Sequence, residues 1–237
     1  MPDPMPPVFA LERVCFTRRE GGSALLAEIS LSLGRGERIG ILGKNGSGKS
    51  TLLHIGAGLL QPDSGVVLHE GRPCRSEKDF VRARKKLGYL LQHADDHLFC
   101  SSILEDVAFG PYNLGFSAAE SEEKARAIIK DFGLDHLADR NGQRLSGGEQ
   151  TLAAMAAILV MDVNVLFLDE PTNNLDEKSR ALLLDLLNRY AVPALIVSHD
   201  IPFLLAACTS FCMLEGRTLK ELPRSTVESG LSRAAAR

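Results

Sequence analysis

The sequence predicts an α/β fold: a core built on a mostly parallel sheet, with an N-terminal antiparallel β subdomain and an inserted α-helical subdomain. Three observations predict it. Short, near-continuous apolar runs recur at residues 39–42, 87–91, 163–168 and 194–197. Runs of that length without a polar face are the pattern of strands buried on both sides. Residues 8–33 instead alternate apolar and polar, as antiparallel strands with one wet face do. Between His93 and Leu145 the strand-like runs stop, and apolar residues recur at helical spacing, as over 118–132.

Taken in order, residues 1–7 are rich in proline and read as a disordered leader. Residues 8–16 and 27–33 read as strands joined by a turn at Gly21-Gly22, and Gly34-Arg35-Gly36-Glu37 turns the chain into the first buried strand. A helix is expected from Thr51 to about Leu60. A turn over Gln61-Pro62-Asp63-Ser64-Gly65 and a short strand at 66–69 follow. Residues 72–86 carry seven basic side chains, read as a solvated helix face because acids interleave. The strand at 87–91 ends at Gln92. Ser146 with Glu149 makes a capping box in front of an apolar helix to Met161. The strand at 163–168 ends in Asp169 and Glu170, a helix spans 177–190, and the strand at 194–197 ends at Ser198-His199-Asp200. The domain runs over 8–220, with the helical subdomain at about 93–160 and a polar tail at 221–237.

The chemistry starts at Gly43-Lys44-Asn45-Gly46-Ser47-Gly48-Lys49-Ser50, which fits G-x-x-x-x-G-K-[ST] between a strand and a helix opening at Thr51. The glycines let backbone N–H groups converge on one anion, and the helix start adds unpaired N–H groups and the positive end of its dipole. Lys49 supplies a full charge for the β- and γ-phosphates of ATP, and Ser50 a hydroxyl for Mg²⁺. Ligands sit at the carboxyl ends of parallel strands, which is where Gln92, Asp169, Glu170 and His199 stand. Asp169 suits a hold on Mg²⁺ through water, and Glu170 the orientation or deprotonation of an attacking water. Ser146-Gly147-Gly148-Glu149 offers a second set of bare N–H groups. Phe16 reads either as a core residue or as a ring that stacks on adenine.

Other classes fall away. A net charge of −3 gives no sign of a nucleic-acid partner. Cys15, Cys74, Cys100, Cys208 and Cys212 include no C-x-x-C; Cys208 and Cys212 are expected on one helical face as small buried residues in a reduced compartment. His93-Ala94-Asp95-Asp96-His97 has metal-ligand residue types, but four ligands within five residues cannot converge on one ion from a helix. No apolar stretch reaches bilayer length, so work at a membrane requires other subunits to cross it.

These residues resemble the ATP-binding subunit of ABC (ATP-binding cassette) transporters, a family with a P-loop NTPase core. The likeness runs from about Val8 to Leu219. It rests on Walker A at 43–50, the Q-loop at Gln92, the signature Leu145-Ser146-Gly147-Gly148-Glu149, Walker B at 165–169 with Glu170, the D-loop Asn174-Leu175-Asp176 and the switch His199. The resemblance implies a head-to-tail homodimer, or a heterodimer with a related ATPase, in which ATP lies between the glycine loop of one subunit and the signature of the other. It implies Gln92 on Mg²⁺ and the γ-phosphate, His199 on the γ-phosphate, Glu170 as general base and Phe16 against adenine.

A narrower likeness, over Gln92–Phe99, Glu105–Pro111 and Asn113–Gly115, is to the ATPases of energy-coupling-factor importers of cobalt, nickel, biotin and other vitamins. It implies a peripheral subunit on the cytoplasmic side of the cell membrane. An integral membrane subunit would dock near 93–115, and a separate membrane subunit would bind the substrate. Another ABC transporter, or a soluble system such as Fe–S assembly, is the alternative. Leu152 and Ala157 stand where many relatives carry arginine, which leaves the signature helix less basic. The short segment after the last strand implies a weaker nucleotide-free dimer.

Overall fold

The computed structural model describes residues 6–18, 22 and 24–235, with side chains through residue 230. Strands β1 (Phe9–Thr17) and β2 (Ala24–Leu33) pair antiparallel. The leader, apart from Pro6 and Pro7, and Gly21 of the expected turn lie outside the described residues. β3 (Arg38–Leu42) leads through the glycine loop to α1 (Lys49–Gly56). β4 (Ser64–His69) and β5 (Arg72–Cys74) complete an antiparallel sheet ordered β2-β1-β4-β5. Then come α2 (Glu77–Arg84), β6 (Leu87–Leu90), a 3-10 turn (Ala94–His97), α3 (Ile103–Asn113), α4 (Ala118–Asp131) and α5 (Gly147–Leu159). The chain closes with β7 (Val165–Asp169), α6 (Glu177–Tyr190), β8 (Ala194–Val197), α7 (Ile201–Ala207), β9 (Ser210–Glu215), β10 (Thr218–Leu222) and α8 (Arg224–Ala235). The second sheet runs β10-β9-β3-β8-β7-β6, parallel throughout except for β10 at its edge.

The period-2 geometry of the central strands divides the core in two. Ile39, Ile41, Val165, Phe167, Leu195 and Val197 face the antiparallel sheet and α1. Leu166, Leu168, Ala194 and Ile196 face α5, α6 and the helical insert. At the first interface Phe9 and Phe167 meet edge to face, 4.9 Å between centroids. Gly56 lets α1 close on those rings: a Cβ there would stand 2.8 Å from Phe167 and 2.9 Å from Phe9. Helix starts follow local chemistry. Capping boxes Ser76/Asp79, Ser117/Glu120 and Ser146/Glu149 open α2, α4 and α5, and Asp176 and Asp200 cap α6 and α7.

The fold departs from the sequence reading in three places. α1 ends at Gly56 rather than near Leu60, because Gly58 adopts φ +70° and the Leu59 N–H closes back on the His54 carbonyl. Cys208 and Cys212 do not share a helix: Cys208 caps α7 and Cys212 lies in β9. Both are buried, which pushes their thiols up to about 12 and about 11. The expected polar tail contains the end of β10 and all of α8, because Val227 is buried and the Arg224 guanidinium donates to the Leu205 carbonyl.

Candidate functional site

Four strand ends converge above the parallel sheet. β3 delivers the glycine loop, β6 Gln92, β7 Asp169 and Glu170, and β8 His199. Asn45, Gly46, Gly48, Lys49, Ser50, Thr51, Gln92, Asp169 and Glu170 line one cavity of about 320 Å³. Three glycines of the loop take positive φ: Gly43 (+155°), Gly46 (+76°) and Gly48 (+107°). A Cβ on Gly43 would stand 2.7 Å from the Leu214 carbonyl oxygen, so no larger residue fits. Gly48 is the N-cap of α1 and has no side chain to cap it, which leaves the N–H groups of the first turn for a ligand.

Lys49 is only 7 % exposed. Its Nζ donates to the carbonyls of Gly43 (2.8 Å) and Lys44 (3.2 Å) and lies 3.5 Å from His199 Nε2. Burial lowers its pKa, and the carboxylates of Glu170 and Asp169 oppose that shift. Asp169 is 3 % exposed, and its buried Oδ1 has no hydrogen-bond partner. Burial raises its pKa, against the Ser50 hydroxyl bond, His54 and Lys49. An orphaned buried carboxylate oxygen beside a serine hydroxyl fits a hard cation that takes oxygen ligands.

Glu170 has φ +50°, an uncommon conformation for a residue with a side chain. Its own N–H donates to Val197 O at 2.8 Å. Its Oε2 accepts the His199 backbone N–H at 3.1 Å, and its Oε1 lies 3.3 Å from His199 Nε2. The carboxylate is 9 % exposed and the imidazole 53 %. His199 also lines a hollow on the other flank of the loop, with Gly43, Lys44, Ser47 and Ser198. Thr172 and Ser198 join the turns after β7 and β8 by a 3.2 Å hydroxyl contact.

The signature does not line the phosphate cavity, although Gly147 lines a small hollow together with Gln92 and Glu170. The Glu149 carboxylate accepts the Ser146 N–H (2.8 Å) and hydroxyl (2.7 Å), bonds that hold its pKa low. Gly147 and Gly148 are needed for close approach: a Cβ would stand 2.9 Å from Asn174 Cβ and 2.7 Å from Ser179 Oγ, respectively. None of residues 146–149 lines the cavity around Lys49. Phe16 does not line it either; the ring is half-buried against the core of the antiparallel sheet. Arg18, two residues on, does line the cavity and was missed in the sequence, because no local pattern marks where β1 ends relative to the loop. Tyr89 and His54 were missed as well. Their rings lie 5.7 Å apart, both within reach of the Asp169 charge, and the Tyr89 hydroxyl is buried without a hydrogen-bond partner.

A second feature joins α2 and β6 to the helical insert. Val81, Tyr89, His97, Phe99, Phe109 and Met161 belong to the lining of a groove of about 470 Å³. Phe99 is 63 % and Phe109 47 % exposed, their rings edge to face at 5.0 Å. His97 lies in this wall, and its Nε2 accepts the Leu91 backbone N–H at 3.1 Å instead of serving a metal with His93, Asp95 and Asp96.

Several known proteins are similar to this chain in sequence and fold. The model of the ABC transporter family matches residues 26–173. The cobalt import ATP-binding protein CbiO of Rhodobacter capsulatus is 40 % identical over 222 residues, 92 % of this chain and 79 % of that protein. Among solved structures, cbiO1 from Clostridium perfringens, part of the ABC transporter complex cbiONQ, has a TM-score of 0.83 at 30 % identity, covering 94 % of this chain and 91 % of that one. The ATP-binding cassette MJ0796, a post-hydrolysis dimer bound to ADP and Pi, has a TM-score of 0.80 at 26 % identity, covering 91 % and 98 %. A relative from Nitratidesulfovibrio vulgaris at 44 % identity, over 88 % of this chain and 77 % of that protein, is named for ATP binding in an ABC transporter and for no substrate.

Proposed function

The chain belongs to the ABC transporter family as an ATP-binding subunit, and from that premise we propose that it energises an importer of a micronutrient, cobalt, nickel, biotin or another vitamin. ATP hydrolysis coupled to transport is the activity of the family. The importer class is supported by the likeness to CbiO and by one observation: the exposed aromatic groove built from side chains within residues 81–114 and 157–161. Large exposed aromatic surface on a polar protein marks a contact site. We assign it to an integral membrane subunit. Among the described residues no helix is long and apolar enough to cross a membrane. The chain then works as a peripheral subunit on the cytoplasmic face, and a different membrane subunit recognises the substrate.

In this reading the loop N–H groups and Lys49 hold the β- and γ-phosphates. Ser50, Gln92 and Asp169 hold Mg²⁺, which when bound neutralises phosphate charge. Glu170 takes a proton from the attacking water, and His199, held against Glu170, reaches the γ-phosphate. Catalysis is mainly positioning and charge neutralisation. The cavity lacks the signature, so residues 146–149 of a second copy, or of a related ATPase, complete it. The test is purification of the tagged full chain from its native membranes. A small membrane protein is expected to copurify, and to be lost when residues 95–99 are scrambled. A complex that survives the scrambling would remove the groove from the docking surface.

A further inference from the structure

The sequence groups His97 with residues of metal-ligand type, and the fold gives it another task. Its Nε2 accepts the Leu91 backbone N–H across six residues, which closes the loop that presents Gln92. A ring nitrogen that accepts carries no proton, so the neutral imidazole keeps its proton on Nδ1. Burial lowers the ring's pKa, with Asp96 opposing, and this favours that neutral form. Gln92 reaches into the cavity with Lys49, Asp169 and Glu170. The same imidazole lines the aromatic groove. A single side chain therefore touches the groove and also holds the amide next to Gln92.

We propose that His97 is a positioning residue for hydrolysis: its acceptor nitrogen, bonded to the Leu91 N–H, sets the loop that presents Gln92. The inference rests on the reading of the chain as an ATPase with Gln92 in its site.

The test uses the full chain and steady-state phosphate release from MgATP. His97→Phe keeps a ring in the groove wall and removes the acceptor. His97→Gln loses the ring and keeps an acceptor. The Phe variant is expected to lose about 10- to 100-fold in kcat with KM for ATP unchanged, the scale of a displaced catalytic group. The Gln variant is expected to recover most of that loss. Backbone amide exchange at Leu91 should accelerate in the Phe variant and be restored in the Gln variant. A Phe variant with the parent's kcat, or equal losses in both variants, would overturn the proposal. So would a Leu91 amide in the unaltered chain that exchanges as fast as its exposed neighbours, a measurement that stands even if a variant does not fold. A parent chain with no turnover would instead overturn the ATPase reading itself.

Discussion

Glu170→Gln isolates one property of the site. The carboxylate accepts the His199 N–H through Oε2 at 3.1 Å and faces His199 Nε2 through Oε1 at 3.3 Å. Glutamine has the same length and keeps one carbonyl oxygen for the N–H, while its amide nitrogen cannot take a proton. The strained backbone at φ +50° is held by the N–H bond to Val197, which the exchange leaves alone. Stability is therefore expected to change by less than about 1 kcal/mol. If Glu170 is the general base we propose, its removal costs about 10²- to 10⁴-fold in kcat, or roughly 3–5 kcal/mol on the barrier. Lys49 and the loop N–H groups are untouched, so ATP still binds. With ATP and Mg²⁺ but almost no turnover, the ATP-bound pair accumulates. Phosphate release, calorimetry and size-exclusion chromatography with MgATP measure the three outcomes. A variant that eluted only as a monomer at saturating ATP and hydrolysed as fast as the parent would refute both the assignment of Glu170 and the shared site.

Lys49→Ala removes the buried charge between Gly43 O, Asp169 and Glu170; calorimetry is expected to show ATP affinity lowered by at least about tenfold, the effect of losing a charge-assisted phosphate contact, and unchanged binding would count against the cradle. Stability should depend on pH through His69 and His97. Burial lowers both rings below their ordinary 6.5, and the His69 Nε2–H donates to the Gly56 carbonyl at 2.8 Å. Below 6.5 the unfolded chain binds protons that the folded chain refuses, so stability is complete above that value and declines as pH falls through the window beneath it. Urea midpoints measured from pH 7.5 to 5.5 should fall, and His69→Gln should flatten the slope; a midpoint independent of pH would contradict the buried neutral rings.

Much of this molecule is written locally. The glycine loop, the apolar strands on either side of it and the capping boxes depend on periods of 2 and 3.6 residues and on hydrogen bonds three residues apart, which a sequence displays directly. Helix α6 and strand β8 fall on the expected residues for that reason. Asp169 and Glu170 were legible because a buried strand must end somewhere, and its polar end faces the ligand edge.

The tertiary structure decided what depends on distant partners. Lys49 meets His199 across 150 residues and Glu170 meets it across 29, so no local pattern could show the burial that shifts Lys49 and Asp169 or the neighbouring charges that oppose those shifts. Sequence does not show how far Phe16 is covered; pairing of β1 with β2 leaves its ring half-buried against the core, while Arg18 lines the phosphate cavity. Residues 221–235 read as polar because one buried valine and one guanidinium–carbonyl bond leave little trace in a periodic pattern. The groove joins side chains from α2, β6, the 3-10 turn, α3 and α5. Sequence alone determined that this chain cradles nucleotide phosphates. Packing decided how the cradle is buried and charged, which aromatic side chains stay exposed, and that His97 binds a backbone amide, because burial and long-range contact exist only once the chain has closed on itself.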